Sequence, residues 1–156
     1  MAEVKWLPEG YHSVTPYLVV KGAAAAIDYY VKAFGAVELF RMGAPDGKIG
    51  HAEIKVGNSP IMLADEHPEM GHLGPQSIGG TPVGLVLYVE DVDTVFDRAI
   101  KAGGKEQKPL KDEFYGDRMG ALVDPFGHLW HLATHKEDVS PEEMERRMAA
   151  AYGAGS

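Results

Sequence analysis

The chain has 156 residues, 45% hydrophobic and 24% charged, which suits a globular protein with a real core, built as one domain or as two small fused halves. Its formal charge is −8, with 23 acidic residues against 15 basic ones, and no basic run occurs, so neither nucleic acid nor anionic membrane is an expected partner. Cysteine is absent, which excludes disulfides, thiolate nucleophiles and Cys-bound metals; no stretch reaches the ~20 apolar residues of a membrane span or has the apolar core of a signal peptide, and the cytoplasm is the expected location.

Residues 1–13 read as a mixed arm. TPYLVV, Thr15 to Val20, is a short β-branched and aromatic run expected to form a strand, broken by Gly22. Ala23 to Phe34 predicts a helix, with four alanines favouring it and Ile27, Tyr30, Val31 and Phe34 recurring at spacings of three and four. Gly35 is its expected C-cap. Three strands follow: Ala36 to Met42, Lys48 to Val56 and Pro60 to Ala64, with turns at Pro45-Asp46-Gly47 and Gly57-Asn58.

Glu66 to Pro82 carries seven glycines and prolines and reads as a long loop, either functional or a joint between halves. Val83 to Val89 is a strong strand. Val92 to Ala102 is an amphipathic helix ended by Gly103-Gly104. Three further strands are expected at Lys105 to Leu110, Arg118 to Val123 and His128 to Thr134. The last of these is fed by the turn Asp124-Pro125-Phe126-Gly127, where proline presets φ and glycine can take a positive one. Alternation puts Leu129, His131, Ala133 and His135 on one face and Trp130, Leu132 and Thr134 on the other. Ser140 to Ala151 predicts a terminal helix with Ser140 as N-cap, Pro141 at its first position and Glu143 completing a capping box.

The second half, slid back by 69 positions, matches the first. Val89 falls on Val20, Asp97 on Asp28, and Lys101, Ala102 and Gly104 on Lys32, Ala33 and Gly35. The element order also repeats: strand, helix, three strands. A duplicated βαβββ unit follows, each copy leaving one sheet face bare unless the two share a cup.

The paired halves, the helix endings Ala-Phe-Gly and Ala-Gly-Gly, and the stretches TPYLVV, GKIGHAEIKVGNSPIMLADE and DPFGHLWHLATH resemble the vicinal oxygen chelate superfamily, which includes glyoxalase I, fosfomycin- and bleomycin-resistance proteins and extradiol dioxygenases. Within it they look like the PhnB-like branch. The resemblance covers roughly Thr15 to His135. It implies an α+β fold of two βαβββ units, residues 14–66 and 83–135, forming a cupped mixed sheet with helices outside. Residues 14–135 then make a single domain, with residues 136–156 as a terminal helix and tail. It further implies a homodimer.

Metal-dependent members of that superfamily place His, Gln or Glu on the first and last strands of each unit. The matching positions here are Thr15, Gly84, one of Ile61 to Leu63, and His131. Only His131 is a useful ligand for a divalent ion, so no resident metal is expected. His51, Glu53 and His131 form the one substitute set, two imidazoles and a carboxylate.

His51 and Glu53 lie two apart on one strand and therefore share a face. With His131 they are the candidate acid–base residues; the alternative is that Glu53 simply pairs a structural histidine. Thr15, Tyr17 and Arg118 are the candidate ligand-binding residues. Arg118 inward could hold a carboxylate or phosphate as a fork; outward it is solvated. Tyr17 either stacks a ligand or fills core. Asp65, Glu66 and His67 at a strand exit suit turn chemistry, and His12, His67 and His72 suit solvent. Asp112, Glu113, Tyr115 and Asp117 fit a loop over the cup mouth or plain solubility. The expected function is binding of a small aromatic or acidic molecule without metal, as in bleomycin-resistance members. The alternatives are a lyase or isomerase using His and Glu, and a dimerising module with a filled cup.

Overall fold

A computed structural model of the chain describes residues 3–153. Residues 1 and 2 of the expected arm and residues 154–156 of the expected tail lie outside the described residues. By its contacts the chain divides into two compact units. The first runs to Thr81 and takes in Pro125–Gly127; the second runs from Pro82, without those three residues.

The first unit is built from β1 (Tyr17–Val20), α1 (Ala23–Phe34), β2 (Val37–Gly43), β3 (Ile49–Val56) and β4 (Ser59–Asp65), with sheet order β1-β4-β3-β2. β1 and β4 are parallel and the other neighbours antiparallel. Strand β1 starts at Tyr17, two residues later than expected. Pro16 has no N–H for a ladder, and only its carbonyl joins, accepting from Met62 N at 3.0 Å. α1 has the bounds its periodicity predicts. It buries Ala26, Ile27, Tyr30 and Ala33 against the sheet, and Gly35 closes it at φ 68°, in the left-handed region that glycine enters without strain.

The first turn of α1 has no capping side chain of its own. Asp65, at the end of β4, reaches across instead. One oxygen accepts from the backbone N–H groups of Gly22 and Ala23 (2.7 and 2.9 Å), and the other from Ile49 N at 2.8 Å. A buried carboxylate at a helix N-terminus is favoured both by the orphan donors and by the helix dipole. Asp65 is thus turn chemistry.

The span 66–82 holds a 3₁₀ turn at Pro68–Met70 and a short helix, α2 (Pro75–Ile78), where a plain loop was expected. Proline at a first helical position explains α2. The carboxylate of Glu66 accepts from Gly74 N at 2.7 Å; Ser77 and then this amide hold it below the usual carboxylate range. Gly74 is required for another reason: a Cβ there would stand 2.8 Å from the carbonyl oxygen of Val19.

The second unit repeats the plan with β5 (Gly84–Tyr88), α3 (Val92–Lys101), β6 (Lys105–Asp112), β7 (Asp117–Val123) and β8 (Leu129–His135), in sheet order β5-β8-β7-β6. Sixty-nine positions after Asp65 stands Thr134. Its hydroxyl accepts from Val92 N at 2.9 Å and donates to Val89 O at 2.8 Å, so the same place caps α3. Trp130 is buried and donates its indole N–H to Asp124 at 2.9 Å, which ties the turn at 124–128 to the core of its sheet. α4 (Pro141–Gly153) begins at its expected cap, with Glu143 N donating to the Ser140 hydroxyl at 3.2 Å. The Glu143 carboxylate is held by Arg146 and Arg147. The architecture is α+β, two βαβββ units each carrying a four-stranded mixed sheet.

Candidate functional site

Each sheet turns one face to its helix. In the first unit that face carries Leu18, Val20, Ala52, Ile54, Ile61 and Leu63, all buried. The opposite, open face carries the side chains half a pleat away. Glu53 pairs with Met62 and Phe40, and His51 with Met42. There His51 and Glu53 meet as their spacing predicts. The imidazole Nε2 donates to Glu53 Oε2 at 2.8 Å, while Nδ1 lies 3.0 Å from the Tyr17 hydroxyl. The second oxygen of Glu53 accepts from the Tyr11 hydroxyl. Tyr17 and Phe40 flank the imidazole at ring-centre distances of 5.5 and 6.2 Å. The His51 and Glu53 side chains are 21% exposed and Tyr17 49%, so the phenol is the most open member of the chain. Thr15 lies in the same unit, half-buried, just before β1.

In the second unit His131 on β8 pairs with Ala121 of β7 and Val86 of β5, on the open face. Gly84 makes its room. A Cβ on that glycine would stand 2.9 Å from the His131 Nε2. Beside the imidazole is a cavity of ≈ 360 Å³, bounded by Lys108, Pro109, Tyr115, Met119, Ala121 and His131, with Lys111 and Glu113 also at its edge. The Tyr115 hydroxyl donates to Met119 Sδ at 3.3 Å, and burial pushes that phenol above its ordinary range. Lys111 Nζ stands 3.7 Å from Glu113, whereas Lys108 makes no ion pair among the described residues.

Arg118 does not join His131. It faces the helix side of the second sheet, where its guanidinium donates to Asp93 on α3 (2.9 and 3.0 Å) and to Asp112 at 3.4 Å. Gly120, two residues on, confirms the face: a Cβ there would lie 3.0 Å from Phe96 of α3. The reason is a change of offset along the repeat. Tyr17 pairs with Met62 and Val86 with His131, an offset of 69 on the outer pair of strands. Glu53 pairs with Met62 but Ala121 with His131, an offset of 68 on the strands between. One residue of slip turns every side chain to the other face. A larger hollow of ≈ 610 Å³ lies beside Arg118, but its charged lining is mostly carboxylates, and two of them, Asp93 and Asp112, already engage the arginine.

A further cluster on the second sheet was not expected. Asp117 is buried and accepts from the Tyr88 hydroxyl at 2.7 Å and from His135 Nδ1 at 2.7 Å; His135 Nε2 donates to Asp138 at 2.7 Å. The two carboxylates, Asp117 first, raise the His135 pKa above its ordinary value, and Asp117 raises that of Tyr88. The usable signal was the phase of His135 with His131 on one strand. Asp117 itself read as a loop residue.

These donors do not fit a resident metal. The outer strand pairs set Tyr17 against Met62 in one unit and Val86 against His131 in the other, and of these four only His131 is a strong ligand for a divalent ion. Both nitrogens of His51 are engaged, and among the described residues no group of three or more His, Cys, Asp or Glu side chains is placed to hold an ion. Among the described residues no helix is long and apolar enough to cross a membrane.

Residues 10–132 match the model of the Glyoxalase/Bleomycin resistance protein/Dioxygenase superfamily. The chain is 45% identical over 141 residues to an uncharacterised protein of Mycobacterium tuberculosis strain H37Rv, covering 88% of this chain and 83% of that one. Among solved structures it is similar to TioX from Micromonospora sp. ML1, with 29% identity, a TM-score of 0.64 and coverage of 80% and 98%. It is also similar in fold to a PhnB protein from Bacillus cereus, with 20% identity, a TM-score of 0.63 and coverage of 79% and 99%. The chain belongs to the glyoxalase/bleomycin resistance protein/dioxygenase superfamily.

Proposed function

We propose, from that membership, that the chain is a small-molecule binding protein that takes an anionic ligand with a flat apolar body into the cavity beside His131, without a metal. The cavity of ≈ 360 Å³ carries this reading: it is of a size for such a molecule, and Met119, Ala121 and Pro109 give it apolar walls. Lys108 supplies a cation that makes no ion pair among the described residues, and His131 a hydrogen-bond donor or acceptor. A charge-assisted bond at such a rim is worth about 1.5 kcal/mol, roughly tenfold in Kd. Calorimetric titration should therefore show benzoate binding more tightly than benzamide, and Lys108→Gln should erase the difference. Equal affinities in the unaltered protein would contradict the proposal.

The pair His51–Glu53 supports a second function, as a lyase or isomerase that moves a proton on an oxygenated substrate. Solvent deuterium should then enter the carbon next to the carbonyl of an added 2-oxo acid faster with the protein than without it. Glu53→Gln should remove that gain.

We also propose a homodimer. Strand β2 is an open sheet edge with Val37, Leu39, Phe40 and Met42 exposed, a surface that a second copy would cover. Light scattering of the eluting protein should give twice the 16.9 kDa chain mass. The cytoplasm is the compartment proposed, since a chain without cysteine needs no oxidising one.

A further inference from the structure

We propose that Tyr17 carries the reactive hydroxyl of a Glu53–His51–Tyr17 relay on the open face of the first sheet, and that its substrate class is a small activated acyl compound such as an ester or thioester. The proposal rests on the His51–Glu53 pair as an acid–base device and is independent of the cavity beside His131.

An ionised carboxylate only accepts hydrogen bonds, so Glu53 assigns the proton of the neutral imidazole to Nε2. Nδ1 is then left with a lone pair, and that lone pair faces the Tyr17 hydroxyl at 3.0 Å. A base whose far nitrogen is held by a carboxylate and whose near nitrogen faces a hydroxyl is the arrangement that activates nucleophiles. Glu53 is itself fixed through its other oxygen by the Tyr11 hydroxyl, which keeps the pair in register.

Geometry also decides which member meets the substrate. Both nitrogens of His51 are occupied and its side chain is only 21% exposed, whereas Tyr17 is 49% exposed. The phenol oxygen is the outlet of the chain. Phe40 and Met42, both exposed on the strand beside His51 and Glu53, offer an apolar platform for the body of a substrate. In the step itself the Tyr17 O–H proton passes to His51 Nδ1 as the oxygen bonds to the carbonyl carbon. The bond from that carbon to the leaving group then breaks, and the leaving group takes the proton from the imidazolium. Tyr17 is left as an ester, which water hydrolyses by the reverse passage.

The protein supplies its own controls. Tyr88 and Tyr152 are 57% and 69% exposed, and neither faces an imidazole: the Tyr88 hydroxyl donates to Asp117, and the Tyr152 ring meets Phe114. The full-length protein would be treated with N-acetylimidazole, in which phenolate attack releases imidazole, and acetylation at each tyrosine followed by peptide mass spectrometry. Tyr17 should acetylate at least about tenfold faster than Tyr152, a threshold set below the roughly hundredfold lower end of general-base effects. His51→Asn and Glu53→Gln should both bring it down to the Tyr152 rate. Unchanged labelling of Tyr88 and Tyr152 would show that the variants are folded.

A Tyr17 rate no higher than that of Tyr152, or one indifferent to both substitutions, would overturn the proposal. The deuterium-exchange assay on a 2-oxo acid separates it from its premise. A slow Tyr17 in a protein that still speeds that exchange through Glu53 overturns the tyrosine relay and leaves the His51–Glu53 pair in place, whereas loss of both overturns the two together.

Discussion

The two units share a scaffold and differ in what they do with their bare faces. On the helix side the repeat is kept as far as the first helical amide: Asp65 and Thr134 stand 69 positions apart and accept from Ala23 N and Val92 N, although α3 adds a cap of its own in Asp91. On the open side almost nothing is kept. The first sheet ties an imidazole to a carboxylate and two phenols. The second ties His135 to a buried carboxylate and leaves His131, for which Gly84 makes room, beside a cavity. Packing against a helix constrains volume and hydrogen bonding at once, so a duplicated unit cannot drift there. A face without a helix is free to acquire different chemistry in each copy.

The largest effect that would sharpen this comparison is at the caps. Asp65→Ala strands three backbone N–H groups, two of them buried, and should cost about 4 kcal/mol. Thr134→Val strands one at α3 and should cost about 1.5 kcal/mol. Urea unfolding followed by circular dichroism checks both, and equal losses would mean that the two caps are not the same device. The next effect is confined to the second open face. Gly84→Leu places a side chain where the His131 ring stands and should weaken benzoate binding at least about tenfold, with Tyr17 acetylation unchanged. A parallel fall in Tyr17 labelling would break the independence of the two faces.

The smallest effect concerns His135. Its pKa is raised above the ordinary imidazole value by Asp117 and then Asp138, so the folded state binds the proton more tightly than the unfolded chain. The resulting stabilisation is fully present below about pH 6.5, the unfolded value, and is lost as pH rises through the folded pKa. Proton NMR titration should find His135 among the last histidines to lose its proton, and Asp138→Asn should move its midpoint down.

Much of the scaffold was legible because its signals are local. α1 has its predicted bounds since alanine propensity, apolar spacing and a closing glycine all agree. His51, Glu53 and Tyr17 could be brought together because alternation along a strand needs no knowledge of its neighbours. Arg118 could not be placed that way. Its face depends on whether the offset along the repeat is 69 or 68, and only the pairing of Ala121 with His131 decides that. Lys108 was hidden by the irregular register of β6, whose ladder shifts on both sides of it. The cluster of Tyr88, Asp117 and His135 draws on the ends of three strands, a long-range meeting with no sequence spacing to announce it.

The most direct test of the account is a proton NMR titration with benzoate, following the imidazole signals of His131 and His51 in one experiment. The account predicts that His131 shifts and saturates while His51, held between Glu53 and Tyr17, stays in place. Movement of His51 with His131 unchanged would contradict it.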